Sequence, residues 1–317
     1  MIHCLSEALL IPKITRGQGM NVSMQDTYNL GWKLALVVKG FARRSLLSTY
    51  EQERRGIALE LVAFDHQFSK LFSSRPAKDA TDNAGISMDV FKEAFIKQKL
   101  FSSGFAVDYG PNVLVAKPGG ETAESGHRKP IGQQSLALNI PLGKRFPNAK
   151  VVNHSDARPW EVARWLKADG RFRIILFAGD VSNPDQMQRV QSFCSVLHRP
   201  GSILQRPMAR GWTPGSLVEI LTIHSAPREA VELADFPELL HPFHDALGWD
   251  YDKIFVDGES YYEAHGEAYR KLGVDTQRGC VVVTRPDQHV GWIGELENTS
   301  HLGAYFEGFI ATDSTVE

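Results

Sequence analysis

Between residues 173 and 310, short apolar runs alternate with helix-forming stretches, and this alternation restricts the fold more than any other feature of the chain. Arg173-Ile174-Ile175-Leu176-Phe177-Ala178 reads as a short buried strand. Ser182-Asn183-Pro184 then opens a helix, with proline where it costs no hydrogen bond. Residues 216–224 form the next strand, residues 226–240 include a helix, and residues 253–256 make a third strand followed by a helix through 262–272. Residues 280–284 are the fourth strand. Pro286-Asp287 turns the chain into residues 289–293 as a hairpin partner, and a helix closes over about 300–310. Strands alternating with helices predict a small mixed sheet covered on both faces, with an antiparallel edge from the hairpin.

The first hundred residues read as helical instead. Residues 21–39 are rich in helix formers and stop before Gly40, and their apolar residues crowd several faces, as in a helix buried between other elements. Ser48-Thr49-Tyr50-Glu51 fits a capping box at the start of a helix that runs to about Phe72, and a third helix is expected over about 88–101. Residues 104–148, dominated by Gly, Pro, Glu and Ser around KPGGETAESGHRKPIG, read as a linker without a core of its own. The chain therefore divides into a helical part (1–103), a linker (104–148) and an α/β domain (149–317), within the two-domain capacity of 317 residues.

A net charge of −2 gives no bulk electrostatic reason to expect nucleic acid or an anionic membrane as partner. Lys-Arg pairs such as Arg43-Arg44 and Arg54-Arg55 read as solvated helix faces. The three cysteines, Cys4, Cys194 and Cys280, are odd in number and far apart, which argues against a disulfide framework and for a reducing, cytoplasmic compartment. MIHCLSEALLIP has no basic segment ahead of its apolar stretch and makes a poor signal peptide. No run is long and apolar enough to span a membrane. His241 and His244 have ligand-like spacing, but no further ligand can be assigned, so no metal is expected. No GxSxG and no CxxC occurs, which removes the elbow-type hydrolases and disulfide exchange.

The chemically informative segment is Gly17-Gln18-Gly19-Met20-Asn21, followed by MQD and NLGWKLA. Two glycines allow a ligand to approach the backbone closely, and the helix behind them presents amides with no internal partner at the positive end of its dipole. Asn21 is placed to cap that helix. Such a start suits negative charge, as on the N1/C2-oxygen edge of a reduced flavin ring; an ordinary glycine loop before a core helix is the alternative on spacing alone.

As a set, these residues resemble the third flavin-contacting motif of the phenol 2-monooxygenase family, the class A FAD-dependent aromatic hydroxylases. TYEQERR and FDHQFSKLFSSRPAKD resemble the helices that follow in that family. GHRKP, GRFRIILFAGD and VVVTRPDQHVGWIGEL resemble the start, first strand and last hairpin of its C-terminal thioredoxin-like domain. The likeness spans about residues 11–310. It implies an α/β fold, a helical remnant of a para-hydroxybenzoate-hydroxylase-like FAD-binding domain followed by a thioredoxin-like domain. It also implies an FAD-dependent monooxygenase that uses NAD(P)H and oxygen on a phenol-like or polycyclic aromatic metabolite, in secondary metabolism. Gly17, Gln18, Gly19, Met20 and Asn21 carry over as cofactor-binding residues; no catalytic residue does. The GxGxxG for the FAD pyrophosphate, the family's DG motif and the Gly-Asp pair ahead of the loop have no counterpart, which implies either a shortened or mis-started member or a degenerate relative. The resemblance leaves two protein partners open, a second copy of the chain or a full-length relative. It also leaves a non-catalytic pairing module as the alternative to an enzyme.

Overall fold

The computed structural model describes residues 18–73, 88–119, 130–205, 213 and 215–311. Three helices come first: α1 (Gln18–Val38), α2 (Ser48–Ser73) and α3 (Met88–Ser102). A 3-10 turn, Arg44–Leu47, runs straight into α2, with Ser48 itself in right-handed helical conformation. Ser48 therefore does not act as the expected cap; its hydroxyl donates backward to the Ser45 carbonyl. Nor is α1 buried all round, because Met20, Met24, Leu34 and Val38 are exposed while Val22, Trp32 and Leu36 are covered.

The C-terminal part is built on one seven-stranded sheet. Its strands are β1 (Lys150–Asn153), β2 (Pro159–Glu161), β3 (Phe172–Gly179), β4 (Val218–His224), β7 (Ile254–Val256), β8 (Cys280–Thr284) and β9 (Val290–Gly294), in the order β2-β1-β7-β4-β3-β8-β9. The two-residue strands β5 (Phe243–His244) and β6 (Gly248–Trp249) pair separately as a hairpin. β3 and β4 are parallel, and α4 (Pro184–Leu197) connects them. β8 lies antiparallel on the other side of β3, with β9 antiparallel beside it. With α5 (Ala268–Leu272) before β8 and α6 (Thr299–Glu307) after β9, this is the thioredoxin-like order. β7, β1 and β2 extend it.

β3 is central because every one of its eight residues is buried. Alternation along it feeds two cores. Phe172, Ile174, Leu176 and Ala178 face the first, with Val190, Phe193 and Leu197 of α4 and Leu302 and Phe306 of α6. Ile175 and Phe177 face the second, with Tyr269 and Leu272 of α5. The first core also takes in Trp32 and Leu36 of α1, so the helical part and the sheet share one interior.

Three expectations give way. Residues 104–148 are not a spacer: Leu114 sits in the first core and Ala137, Ile140, Leu142 and Phe146 in the second. Their apolar residues follow no regular period, which hides them in glycine- and proline-rich text. Residues 226–240 form three 3-10 turns, Arg228–Ala230, Leu233–Asp235 and Glu238–Leu240, rather than a helix; Pro227 and Pro237 stand at the N-cap of two of them. The helix expected through 262–272 shortens to the five residues of α5, ended by Gly273 in left-handed conformation. Among the described residues, no helix is long and apolar enough to cross a membrane.

Candidate functional site

Gln18 to Asn21 are all helical, so Asn21 lies within α1 rather than at its cap. Gly17 lies outside the described residues, and Gln18 and Gly19 are placed as helix backbone. Met20 is 68% exposed, Asn21 is half-buried, and Val22 turns inward against Ile57, Leu61 and Tyr109. No acidic residue occupies the first turn.

One side of the same helix is held by a buried charge network. Asp26, Asn29 and Lys33 recur at three and four residues, which puts them on one face. Arg54 of α2 donates to Asp26 at 2.5 Å. Lys33 donates to Glu53 of α2 at 2.8 Å and to Asn29 at 2.8 Å, while the Asn29 amide donates to the other side of the cluster, to Glu53 and the Tyr109 hydroxyl. From the β8–β9 turn, Arg285 forks onto both oxygens of Glu53, at 2.5 and 2.9 Å, and onto Asp287 at 2.6 Å. The Arg285 guanidinium also lies over the rings of Trp32 and Tyr109, 5.4 and 5.0 Å from their centroids. Asp287 accepts a further bond from the Trp32 indole.

The electrostatics follow from this wiring. Burial alone would push the Glu53 carboxyl up, but Arg285 and Lys33 overcome it and bring its pKa down to about 2. Burial lowers the Lys33 ammonium to about 8, because desolvation outweighs the attraction of Glu53 and Arg285 repels it. Burial also works against the Asp287 carboxylate, yet Arg285 holds it well below the usual range. Two cations and two carboxylates are thereby kept ionised and fully bonded in a dry interior. Such a set fixes the angle at which α1 leaves the α/β part; it has no free lone pair with which to do acid–base work.

Beside the network lies a cavity of about 320 Å³, with Met24, Tyr28 and Asn29 of α1 on one side and Tyr109, Asp287 and His289 on the other. The histidines singled out in the sequence lie elsewhere: His241 Nε2 meets the Phe236 carbonyl at 2.9 Å, and no cluster of three metal-ligating side chains occurs among the described residues. Cys194 and Cys280 are free and buried, and burial pushes the Cys194 thiol up to about 12, so it is no nucleophile.

Sequence reasoning missed Glu53, Arg54, Arg285 and Asp287. Arg54 in particular is 3% exposed, not part of a solvated face, whereas Arg55 next to it is exposed. The available signal was the position of Glu53 and Arg54 on the same helical face as Ile57, visible only once α2 is recognised as half-buried.

Residues 107–314 match the family profile of the phenol hydroxylase C-terminal dimerisation domain, and residues 8–65 match that of an FAD-binding domain. A phenol 2-monooxygenase of Aspergillus fumigatus is 35% identical over 302 residues, covering 95% of this chain and 46% of the relative. A 3-hydroxybenzoate 4-monooxygenase of Comamonas testosteroni is 36% identical over 298 residues, covering 93% of this chain and 44% of the relative. The chain thus spans about half the length of the curated relatives it matches. Among solved structures, the flavin-dependent monooxygenase PieE, determined with FAD and substrate, superimposes with a TM-score of 0.47 at 16% identity, over 92% of this chain and 45% of that one.

Proposed function

Because the chain belongs to the phenol hydroxylase family, by the match of residues 107–314 to its C-terminal dimerisation domain, we propose that it forms the rear half of an FAD-dependent monooxygenase acting on a phenol-like or polycyclic aromatic metabolite. The observation that carries this reading is the first turn of α1, which has no acidic residue and exposes Met20, on the segment that matches an FAD-binding domain. Gln18, Gly19, Met20 and Asn21, with Gly17 ahead of them, would hold the anionic edge of the flavin ring through backbone amides. FAD, reduced by NAD(P)H, would supply the oxygen activation. The protein's share is to orient the ring and to keep α1 at a fixed angle, which the Lys33–Glu53–Arg285 network does. The reading places the protein in the cytoplasm, where Cys194 and Cys280 stay reduced, and gives it a second copy of itself as partner.

A second reading, a non-catalytic module that pairs with a full-length relative, is supported by the match of residues 107–314 to a dimerisation domain. Absorbance of the purified chain after desalting, with and without added FAD, separates the two. About one equivalent of retained flavin, followed by phenol-stimulated NAD(P)H oxidation, supports the enzyme. A folded chain that keeps no flavin supports the module, and flavin that appears only on co-expression with a partner chain supports an enzyme whose flavin is shared between chains.

A further inference from the structure

The β2 edge of the seven-stranded sheet is flanked by two segments of opposite charge. One is the β5–β6 hairpin, which pairs with no strand of the main sheet. It exposes Phe243, Trp249 and above all Leu247, which is 86% open to water. Residues 241–252 contain no Lys or Arg. Of their acids, Asp250 is matched by Lys253, whereas Asp245 and Asp252 are exposed and form no ion pair among the described residues. The other segment is residues 162–167, directly after β2. Arg164 and Lys167 are exposed there and likewise form no ion pair among the described residues. Trp165 anchors this segment, edge to face with Trp160 of β2 at 5.7 Å and with Phe255 of β7 at 5.3 Å.

Both segments are fastened to the same strands. Asn153, at the end of β1, donates its side-chain amide to the Asp252 carbonyl at 3.3 Å. Its backbone N–H donates to the Arg158 carbonyl at 2.8 Å, at the entry to β2. Other charges on this edge are already matched, Arg158 by Asp156 and Lys150 by Glu263. Pro159 withholds a backbone donor from the edge strand, so pairing with an added strand is disfavoured and contact falls to side chains. Exposed apolar side chains grouped beside unmatched charge mark an interaction surface. A surface that carries both signs is complementary to itself once turned about a two-fold axis.

We propose that two copies of this chain pair across this edge about a two-fold axis, the hairpin of each copy, with Asp245 and Asp252, lying against Arg164 and Lys167 of the other. The proposal rests on the reading that gives the chain a second copy as partner, and it assigns that contact a surface and a charge pattern. The surface lies within the segment that matches a dimerisation domain. It uses none of Gln18–Asn21, so it stands whether or not the chain holds FAD. Such a contact closes on itself, so assembly stops at two. Its charges are exposed, so salt weakens it.

Sedimentation equilibrium of the full chain, over a range of protein and salt concentrations, tests it. A dimer that dissociates more readily at high salt is expected. Arg164→Glu with Lys167→Glu should raise the dimer dissociation constant about tenfold or more, because like charges then face each other. Asp245→Lys with Asp252→Lys in a separate chain should do the same. Mixing the two variant chains should restore a dimer containing one of each, a rescue that misfolded chains could not give. The proposal is overturned if the unmodified chain stays monomeric or grows past two, if either reversal leaves the dimer unchanged, or if mixing restores nothing. A monomer would also remove the second copy from the proposed function. A dimer indifferent to these charges would overturn this surface alone and leave that reading intact.

Discussion

Arg285 and Glu53 lie 232 positions apart and meet through two hydrogen bonds of 2.5 and 2.9 Å, with both side chains fully withdrawn from water. Removing one partner of such a pair leaves an uncompensated buried charge, which costs about 3–5 kcal/mol. Arg285→Met is therefore expected to lower the unfolding free energy by that amount in urea titrations. The double variant Arg285→Met, Glu53→Gln should lose clearly less than the sum of the two single losses. Additive losses would show that the two side chains do not act as a unit.

Acid should weaken the fold before its carboxylates titrate. His154 and His224 face each other at 2.9 Å in the interior. Burial, with His154 beside it, lowers His224 from 6.5 to about 3; burial and Arg228 lower His154 as well. The unfolded chain takes up these protons near pH 6.5 while the folded chain refuses them, so this stability is complete above 6.5 and declines as pH falls. Glu53, at about 2 instead of 4.5, adds its own decline only below about 4.5. Between pH 6.5 and 5 the loss should be about 1.5 kcal/mol from His224, with His154 adding in the same direction. Urea midpoints across that window check this, and His154→Gln should flatten the slope.

Charge at the start of α1 should separate folding from flavin binding. Met20 is exposed in a first turn that has no acid. Met20→Glu should leave the melting temperature equal or slightly higher, because a carboxylate favours that helix end by about 0.3–1 kcal/mol. The same charge should weaken FAD binding several-fold in a fluorescence titration. Unchanged affinity would remove the helix end from the flavin site.

Two glycines with left-handed backbone should respond differently to alanine. Gly170 (φ +87°) faces open space, so Gly170→Ala should cost only the backbone strain, about 1–2 kcal/mol. Gly279 (φ +62°) would bring its Cβ to 1.8 Å from the Phe177 carbonyl oxygen of β3. Gly279→Ala should cost more than about 4 kcal/mol or prevent folding, read as the difference in urea midpoints.

What the sequence made legible follows from how local each signal is. β3 and β8 stand out because unbroken apolar runs of strand length need no partner to be recognised. β1 and β2 did not, because four and three residues with Pro159 at the strand start carry no periodic signal. Asn183 was legible as a helix start, since its side chain accepts from the Asp185 amide within two residues and Pro184 follows. Gln18–Asn21 stood out through their glycine and residue identities. The network under them was hidden: nothing local to Glu53 distinguishes it from the exposed Glu51 two residues earlier.

The same long-range pairing sets an order of events during synthesis. Glu53 leaves the ribosome 232 residues before Arg285. At roughly 5–20 residues per second, the carboxylate waits on the order of ten to fifty seconds for its guanidinium. Through that interval Glu53 has only Lys33 of its two cations, and α1 lacks the completed sheet that covers Trp32 and Leu36. α1 and α2 are thus made long before they are locked, and a nascent chain stalled before the β8–β9 turn offers chaperones two unfastened helices beside a sheet that still lacks β9.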